Sequence, residues 1–212
     1  PRVHGDFSFG KRGLVDGEQE DIALPGVQFK LSGVSDYGTD VLMYATSDSS
    51  GRVYFPNIEK GKYKLEEVAT AAHYIIPNHT WSVLCDGNGN VTVTGDDLLS
   101  TSDGYVLINE PLHKLKLRKV DETNRTMPVA GAVFRIYGTS DSGRPVDLSV
   151  TSSVNGVVEF ELESGTYILQ ETQAPQGYKL DSTRRAVTVL TDGTVTVDGL
   201  EMITAAESEV YV

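Results

Sequence analysis

The chain has 212 residues, with 18 Lys and Arg against 30 Asp and Glu, a formal net charge of −12 and a single Cys. That balance argues against nucleic acid or an anionic membrane surface as a partner, one Cys excludes an internal disulfide, and no apolar run approaches the length of a membrane-spanning helix. The acidity is spread as a solubility feature would be, with 8 basic against 16 acidic side chains in residues 1–110 and 10 against 14 in residues 111–212.

In chain order, the first pattern is Phe7-Ser8-Phe9-Gly10-Lys11, an alternating run in which Lys11 shares the face of its apolar neighbours. LPGVQFKL (24–31) and SSGRVYF (49–55) follow as further short strands. Residues 63–74 then read YKLEEVATAAHY, which puts Tyr63, Leu65 and Glu67 on one face of a strand, with Tyr74 seven residues after the Glu. WSVLCDGNGNVTVTG (81–95) reads as a hairpin turning at Asp86-Gly87-Asn88-Gly89, since Gly and Asn adopt positive φ cheaply. The acidic stretch Asp96–Ser102 is the best helical candidate in a chain with no long apolar period of 3.6. Tyr105-Val106-Leu107-Ile108-Asn109 alternates again, so Tyr105, Leu107 and Asn109 share a face before Pro111 breaks the run.

From there the same order recurs. Leu115-Lys116-Leu117-Arg118-Lys119 matches the opening run, followed by VAGAVFRIY (129–137), SVNGVVEF (153–160), YILQETQAPQGY (167–178) and RAVTVLTDGTVTVDG (185–199) with its turn at Asp192-Gly193. Tyr167, Leu169 and Glu171 share a face as their counterparts do, and the Lys-to-Glu separation is 56 in the first copy and 52 in the second. A repeat of this size predicts two domains, residues 1–110 and 111–212, each large enough at about 100 residues to hold its own core. Short strands at regular spacing make each an all-β sandwich of the Ig-like or prealbumin-like kind. The chain opens on Pro1 without a signal-peptide pattern, as a segment of a larger protein would.

Most other side chains have plain structural readings. Cys85 shares a face with Trp81 and Val83 and reads as a core thiol. His73 and His79 flank Tyr74 and Pro77 without a third zinc ligand. The Asp86 loop begins like a calcium loop, but Val91 stands where such a loop needs Gly. No metal or other cofactor is therefore expected. Alternating Tyr and Trp read as core, a sugar-binding platform being the other use of such rings. An inward Lys and Glu in each copy is a different matter, because burying charge is costly. The pair is either a buried ion pair or a reaction centre.

The repeated pattern resembles the collagen-adhesin B-type domain (Cna-B, also called SpaA-like or prealbumin-like) of Gram-positive pilins and surface adhesins, over residues 6–212 as two tandem copies. Its most specific element is Tyr167–Tyr178, which matches the family's E-box; in the first copy Thr70, Ala71 and His73 replace the family's Ala, Pro and Gly. The resemblance implies a spontaneous amide bond between a Lys of the first strand and an Asn of the last, promoted by a buried Glu. Carried over, it makes Lys11, Glu67 and Asn109 the triad of the first copy. Burial disfavours charge on both Lys and Glu, and a protonated Glu is then able to hydrogen-bond the Asn carbonyl and pass a proton to the leaving ammonia. In the second copy Lys119 and Glu171 are present but no Asn follows Asn155, and the 42-residue spacing of the first copy projects the acceptor to about position 213. Asp192 and Asp198, beside the predicted hairpin, are the alternative acceptors.

By the same resemblance the chain is a structural segment of a cell-wall-anchored pilin or adhesin stalk, extracellular, whose partners are other pilin subunits or the rest of its parent protein. It is not an enzyme beyond its own crosslinking. The competing expectation is a module that binds a host matrix protein or glycan, and fold alone does not separate the two.

Overall fold

The alternating runs fold as strands, and the computed structural model contains no helix among the residues it describes, which are 1–16, 20–200, 202–204 and 209–212. Contacts divide the chain into two units, Pro1–Pro111 and Leu112–Val212. The first holds β1 (His4–Leu14), β2 (Asp21–Ala23), β3 (Gln28–Ser35), β4 (Asp40–Thr46), β5 (Arg52–Glu59), β6 (Gly61–Ala69), β7 (Trp81–Cys85), β8 (Val91–Thr94), β9 (Leu98–Thr101) and β10 (Gly104–Asn109). One sheet runs β4-β3-β6-β7-β8; the other runs β2-β1-β10-β9, with β5 also paired to β1. The expected helical stretch at Asp96–Ser102 is instead the edge strand β9, antiparallel to β10. Its Leu-Leu-Ser-Thr run ends in a tight turn where the Thr101 hydroxyl donates to the Gly104 carbonyl.

The second unit repeats the plan with β11 (His113–Arg118), β12 (Val133–Ser140), β13 (Pro145–Thr151), β14 (Val157–Leu162), β15 (Gly165–Gln173), β16 (Arg185–Val189), β17 (Val195–Val197), β18 (Met202–Thr204) and β19 (Glu209–Tyr211). Its sheets run β13-β12-β15-β16-β17 and β14-β11-β19-β18. In each unit one pairing is parallel, and it joins the first strand to the last: β1 to β10 and β11 to β19.

Alternation decides what each strand buries. On β1 the inward set is Phe7, Phe9 and Lys11, with Phe9 edge-on to Phe29 of β3 at 4.9 Å. Tyr63, Leu65, Trp81, Val83 and Cys85 close the other side of that core. The second core gathers Leu115, Leu117, Phe134, Tyr167 and Leu169. Tyr63 and Tyr167 are buried rings whose hydroxyls donate to the Glu59 and Glu163 carbonyls at 2.6 and 2.7 Å.

Two glycines fix the backbone beside the inward lysines. Gly51 and Gly156 have φ of 81° and 74°, and their carbonyls accept from the Lys11 and Lys119 amides at 2.6 and 2.7 Å. A Cβ on either would lie 2.4 or 2.3 Å from the same lysine's carbonyl oxygen, too close for any side chain to fit without moving the strand. Gly51→Ala should therefore destabilise the first unit by about 2 kcal/mol. Urea unfolding followed through Trp81, the single Trp of the chain and a buried one, checks this directly.

Candidate functional site

Lys11 reaches the core from β1, where its side chain is fully buried. Its Nζ donates to the carbonyls of Arg12 and Leu107 at 3.0 and 3.2 Å, so the amine sits against the β10 backbone. Burial pushes its pKa down to about 8 against the opposing attraction of Glu67. Glu67 enters from β6 in the facing sheet, opposite Phe29 of β3. Burial raises its pKa, while the Lys11 charge and hydrogen bonds from Asn109 and Thr70 pull the other way.

Asn109 completes the group from β10. Lys11 pairs with Leu107 across the parallel ladder, and Asn109 lies two residues further on the same face. Its Nδ2 donates to Glu67 Oε1 at 2.5 Å and to Thr70 Oγ1 at 3.0 Å. The structure thus brings together Lys11, Glu67 and Asn109, and it adds Thr70. It differs from the sequence expectation in one respect: the Glu67 carboxyl meets the amide nitrogen of Asn109 rather than its carbonyl oxygen. A carboxyl at that nitrogen is placed to protonate it as a leaving group. Glu67 Oε2 is buried without a hydrogen-bond partner among the described residues.

The second unit holds a related but distinct arrangement. Glu171 is buried on β15, and Lys119 follows β11 with its Nζ 3.7 Å from Glu171 Oε2 and 6.0 Å from the centre of the Phe134 ring. The Asp181 amide donates to the same Glu171 oxygen at 3.2 Å. A cavity of about 80 Å³ is lined by Lys119, Glu171, Asp181 and Val212. Continuing the ladder from Arg118 opposite Tyr211 sets Val212 beside Lys119, as Leu107 is beside Lys11. The position corresponding to Asn109 is then two residues past Val212, one more than spacing alone projected. Asp192 stays in the exposed β16–β17 turn with its carboxylate on the Thr194 amide, and Asp198 is exposed after β17. Among the described residues, Asp181 is an acidic residue after Glu171 that lines the cavity.

Several groups that serve the site escaped the reading of sequence. Ser47 and Ser152 are buried, and each hydroxyl donates to a carbonyl across a loop, Leu24 at 2.6 Å and Val129 at 2.8 Å, while accepting from Val27 and Ala132 amides. They hold the chain that leads from the lysine strand into the facing sheet. Both stand four residues before the special glycines Gly51 and Gly156, a signal that aligning the two copies makes visible. His79, read as a loop histidine, has Nε2 3.5 Å from Asp97 and packs edge-on to Trp81 at 5.0 Å.

A family model described as SpaA, prealbumin-like fold domain, matches residues 14–98 and 113–201. A 94-residue stretch, 44% of the chain, is 29% identical to the trypsin-resistant surface T6 protein of Streptococcus pyogenes serotype M6 and spans 16% of that protein's length. Among solved structures, a streptococcal ancillary pilin is similar with 22% identity and a TM-score of 0.45 over 99% of this chain and 61% of that one. The shaft pilin SpaA of Lactobacillus rhamnosus GG is similar with 13% identity and a TM-score of 0.48 over 99% and 97%.

The geometry of the second unit makes a sharp expectation. Lys119→Met leaves the Glu171 carboxylate buried without its cation and should destabilise that unit by about 3 kcal/mol. Replacing both partners, Lys119→Met with Glu171→Leu, should recover most of the loss. Circular dichroism during urea unfolding reads both units and should show an earlier transition, while Trp81 fluorescence, which reports the first alone, should not move.

Proposed function

The chain belongs to the SpaA family of prealbumin-like fold domains, and from that membership we propose that its two sandwiches form a rigid segment of a Gram-positive surface stalk. In this reading it is extracellular, part of a pilin or adhesin, with other pilin subunits or the rest of its parent protein as neighbours. The first unit is locked by an amide bond between Lys11 and Asn109, with Glu67 as the acid–base group. The observation that carries this is the 2.5 Å contact of Asn109 Nδ2 with Glu67 Oε1 beside a buried lysine on the adjacent parallel strand.

The chemistry balances within the three side chains. The neutral Lys11 amine attacks Asn109 Cγ, and a C–N bond forms. The Cγ–Nδ2 bond breaks, and Nδ2 departs as ammonia carrying a proton from the Glu67 carboxyl. The proton shed by Nζ restores that carboxyl. Holding amine and carboxamide together in a dry core removes the entropic and solvation barriers that make this aminolysis slow in water. By analogy with disulfide closure, locking a loop of about 100 residues stabilises the fold by about 4–5 kcal/mol. In the second unit Lys119 and Glu171 are the corresponding amine and acid.

The intact protein should weigh one ammonia less than its sequence, and Glu67→Ala should restore the full mass; a wild-type mass without that loss overturns the crosslink.

The pH dependence of bond formation in freshly made chain follows from proton counting. The reactive state, neutral Lys11 with protonated Glu67, holds one proton between the two groups, the same number as the ion pair. The rate should therefore be flat across the middle range. It should fall above about pH 8, where the lysine's depressed pKa lets the last proton leave. It should also fall at acid pH, below the raised pKa of Glu67, where both groups are protonated. Timed mass spectrometry across a pH series measures the profile.

A further inference from the structure

Thr70 is the one member of the first-unit cluster that the aminolysis itself does not require. It stands immediately after β6, three residues beyond Glu67. In a regular strand an offset of three would turn its side chain to the opposite face. The β3–β6 ladder, however, passes from Phe29 opposite Glu67 to Gln28 opposite Ala69, leaving Val68 as an extra, bulged residue. The bulge reverses the parity and brings Thr70 round to the side of Glu67. There its oxygen accepts the second N–H of Asn109 at 3.0 Å, and its hydroxyl lies near enough to Glu67 to pull that acid's pKa down against the effect of burial. Asn109 Nδ2 thus bridges Glu67 and Thr70.

The second unit shows what the hydroxyl replaces. It has the same bulge, with Phe134 opposite Glu171 and Val133 opposite Gln173. Yet the residue matching Thr70 is Ala174, which has nothing to donate. Glu171 takes its neutral hydrogen bond from the Asp181 amide, ten residues on. The tenth residue after Glu67 is Pro77, which has no amide hydrogen.

We propose that Thr70 is a positioning residue for the Lys11–Asn109 bond, one that fixes which end of the Asn109 carboxamide faces Glu67. This rests on the crosslinking reading above. A carboxamide is nearly symmetric in shape, and rotating it by half a turn exchanges Oδ1 with Nδ2. With Oδ1 toward Glu67 the acid would polarise the carbonyl but could not reach the leaving nitrogen. With the Thr70 O–H turned to Glu67, its lone pairs face Asn109 and accept N–H while repelling a carbonyl oxygen. The orientation that sets the two N–H groups of Nδ2 on the Glu67 and Thr70 oxygens satisfies both acceptors and keeps the leaving nitrogen beside the acid. As Cγ–Nδ2 breaks and Nδ2 takes the Glu67 proton, the departing ammonia still donates to Thr70.

The test follows ammonia loss by timed intact-mass measurement on the full 212-residue chain, made by cell-free synthesis and quenched in acid denaturant. Thr70→Val keeps the shape and removes the hydroxyl. Thr70→Ala installs the residue that the second unit carries at this place, and Thr70→Ser retains the hydroxyl. Val and Ala should form the bond at least about tenfold more slowly, and Ser should stay within about twofold of wild type. Trp81 fluorescence confirms that each variant folds. Val or Ala reacting at the wild-type rate overturns the role of Thr70 while leaving the crosslink standing. Ser reacting as slowly as Val also overturns it, because the hydroxyl would then not be the active feature. Wild type that loses no ammonia at all overturns the crosslink itself, a result distinct from either.

Discussion

Parallel strands cannot be joined by a hairpin, so β1 and β10 meet only after every other strand of the first unit has been laid between them. Their ladder is the last closure of the sandwich, and it brings Lys11 against the backbone of Leu107 with Asn109 two residues along. What lies inside that closure is fixed by alternation. The inward face of β1 that carries Phe7 and Phe9 must also carry Lys11, and the face of β10 that carries Leu107 must carry Asn109. The surrounding hydrocarbon lowers the pKa of an amine in such a place to about 8, and it raises that of the carboxyl facing it from β6. Burial thus moves both groups toward the protonation states that the proposed chemistry needs.

Comparison of the two units separates frame from chemistry. Both have the parallel closure, the bulge after the inward Glu, the glycine that approaches the lysine backbone, and the buried serine that ties down the loop. These shared features position the lysine and the acid. The surroundings of the acid then diverge through a few side chains. In the first unit Glu67 meets a carboxamide and a hydroxyl. In the second, Glu171 meets an ammonium and a backbone N–H. One backbone thus gives the inward acid two different sets of partners, and the residues at positions 70, 77 and 109 against 174 and 181 set the difference.

Much of this is legible in the sequence for a definite reason. Period two sorts Lys11, Glu67 and Asn109 onto inward faces without knowledge of the fold, and the repeat shows which residues correspond. What escapes is whatever depends on a break in the period. The bulge at Val68 is invisible in a run of plausible strand residues, and period two alone would turn Thr70 away from Glu67, so its bond to Asn109 goes unseen. Asp96–Ser102 shows the opposite failure. Its strand character comes from pairing with β10, a tertiary contact that local composition does not announce. The orientation of the Asn109 amide belongs to the same class, since only the positions of Glu67 and Thr70 together determine it.

Closing first strand to last also sets how a stalk module would carry load. A pull along the chain enters the first unit through β1 and leaves through β10, and because the two are parallel it shears the ladder between them along its length. Backbone hydrogen bonds loaded in that way share the force until the ladder gives, after which the sandwich opens from its sealed edge. With Lys11 joined to Asn109, tension crosses from one strand to the other through covalent bonds near the end of β1. Residues 12–108, which include nearly all of the core, then lie in a loop that bears none of it. In that arrangement the load runs along β1 only as far as Lys11 and leaves at Asn109, so the β10 side of the ladder is unloaded. A lysine at the position of Phe7 would instead lie two residues before Tyr105 in the ladder, at Asp103, and would meet no carboxamide there.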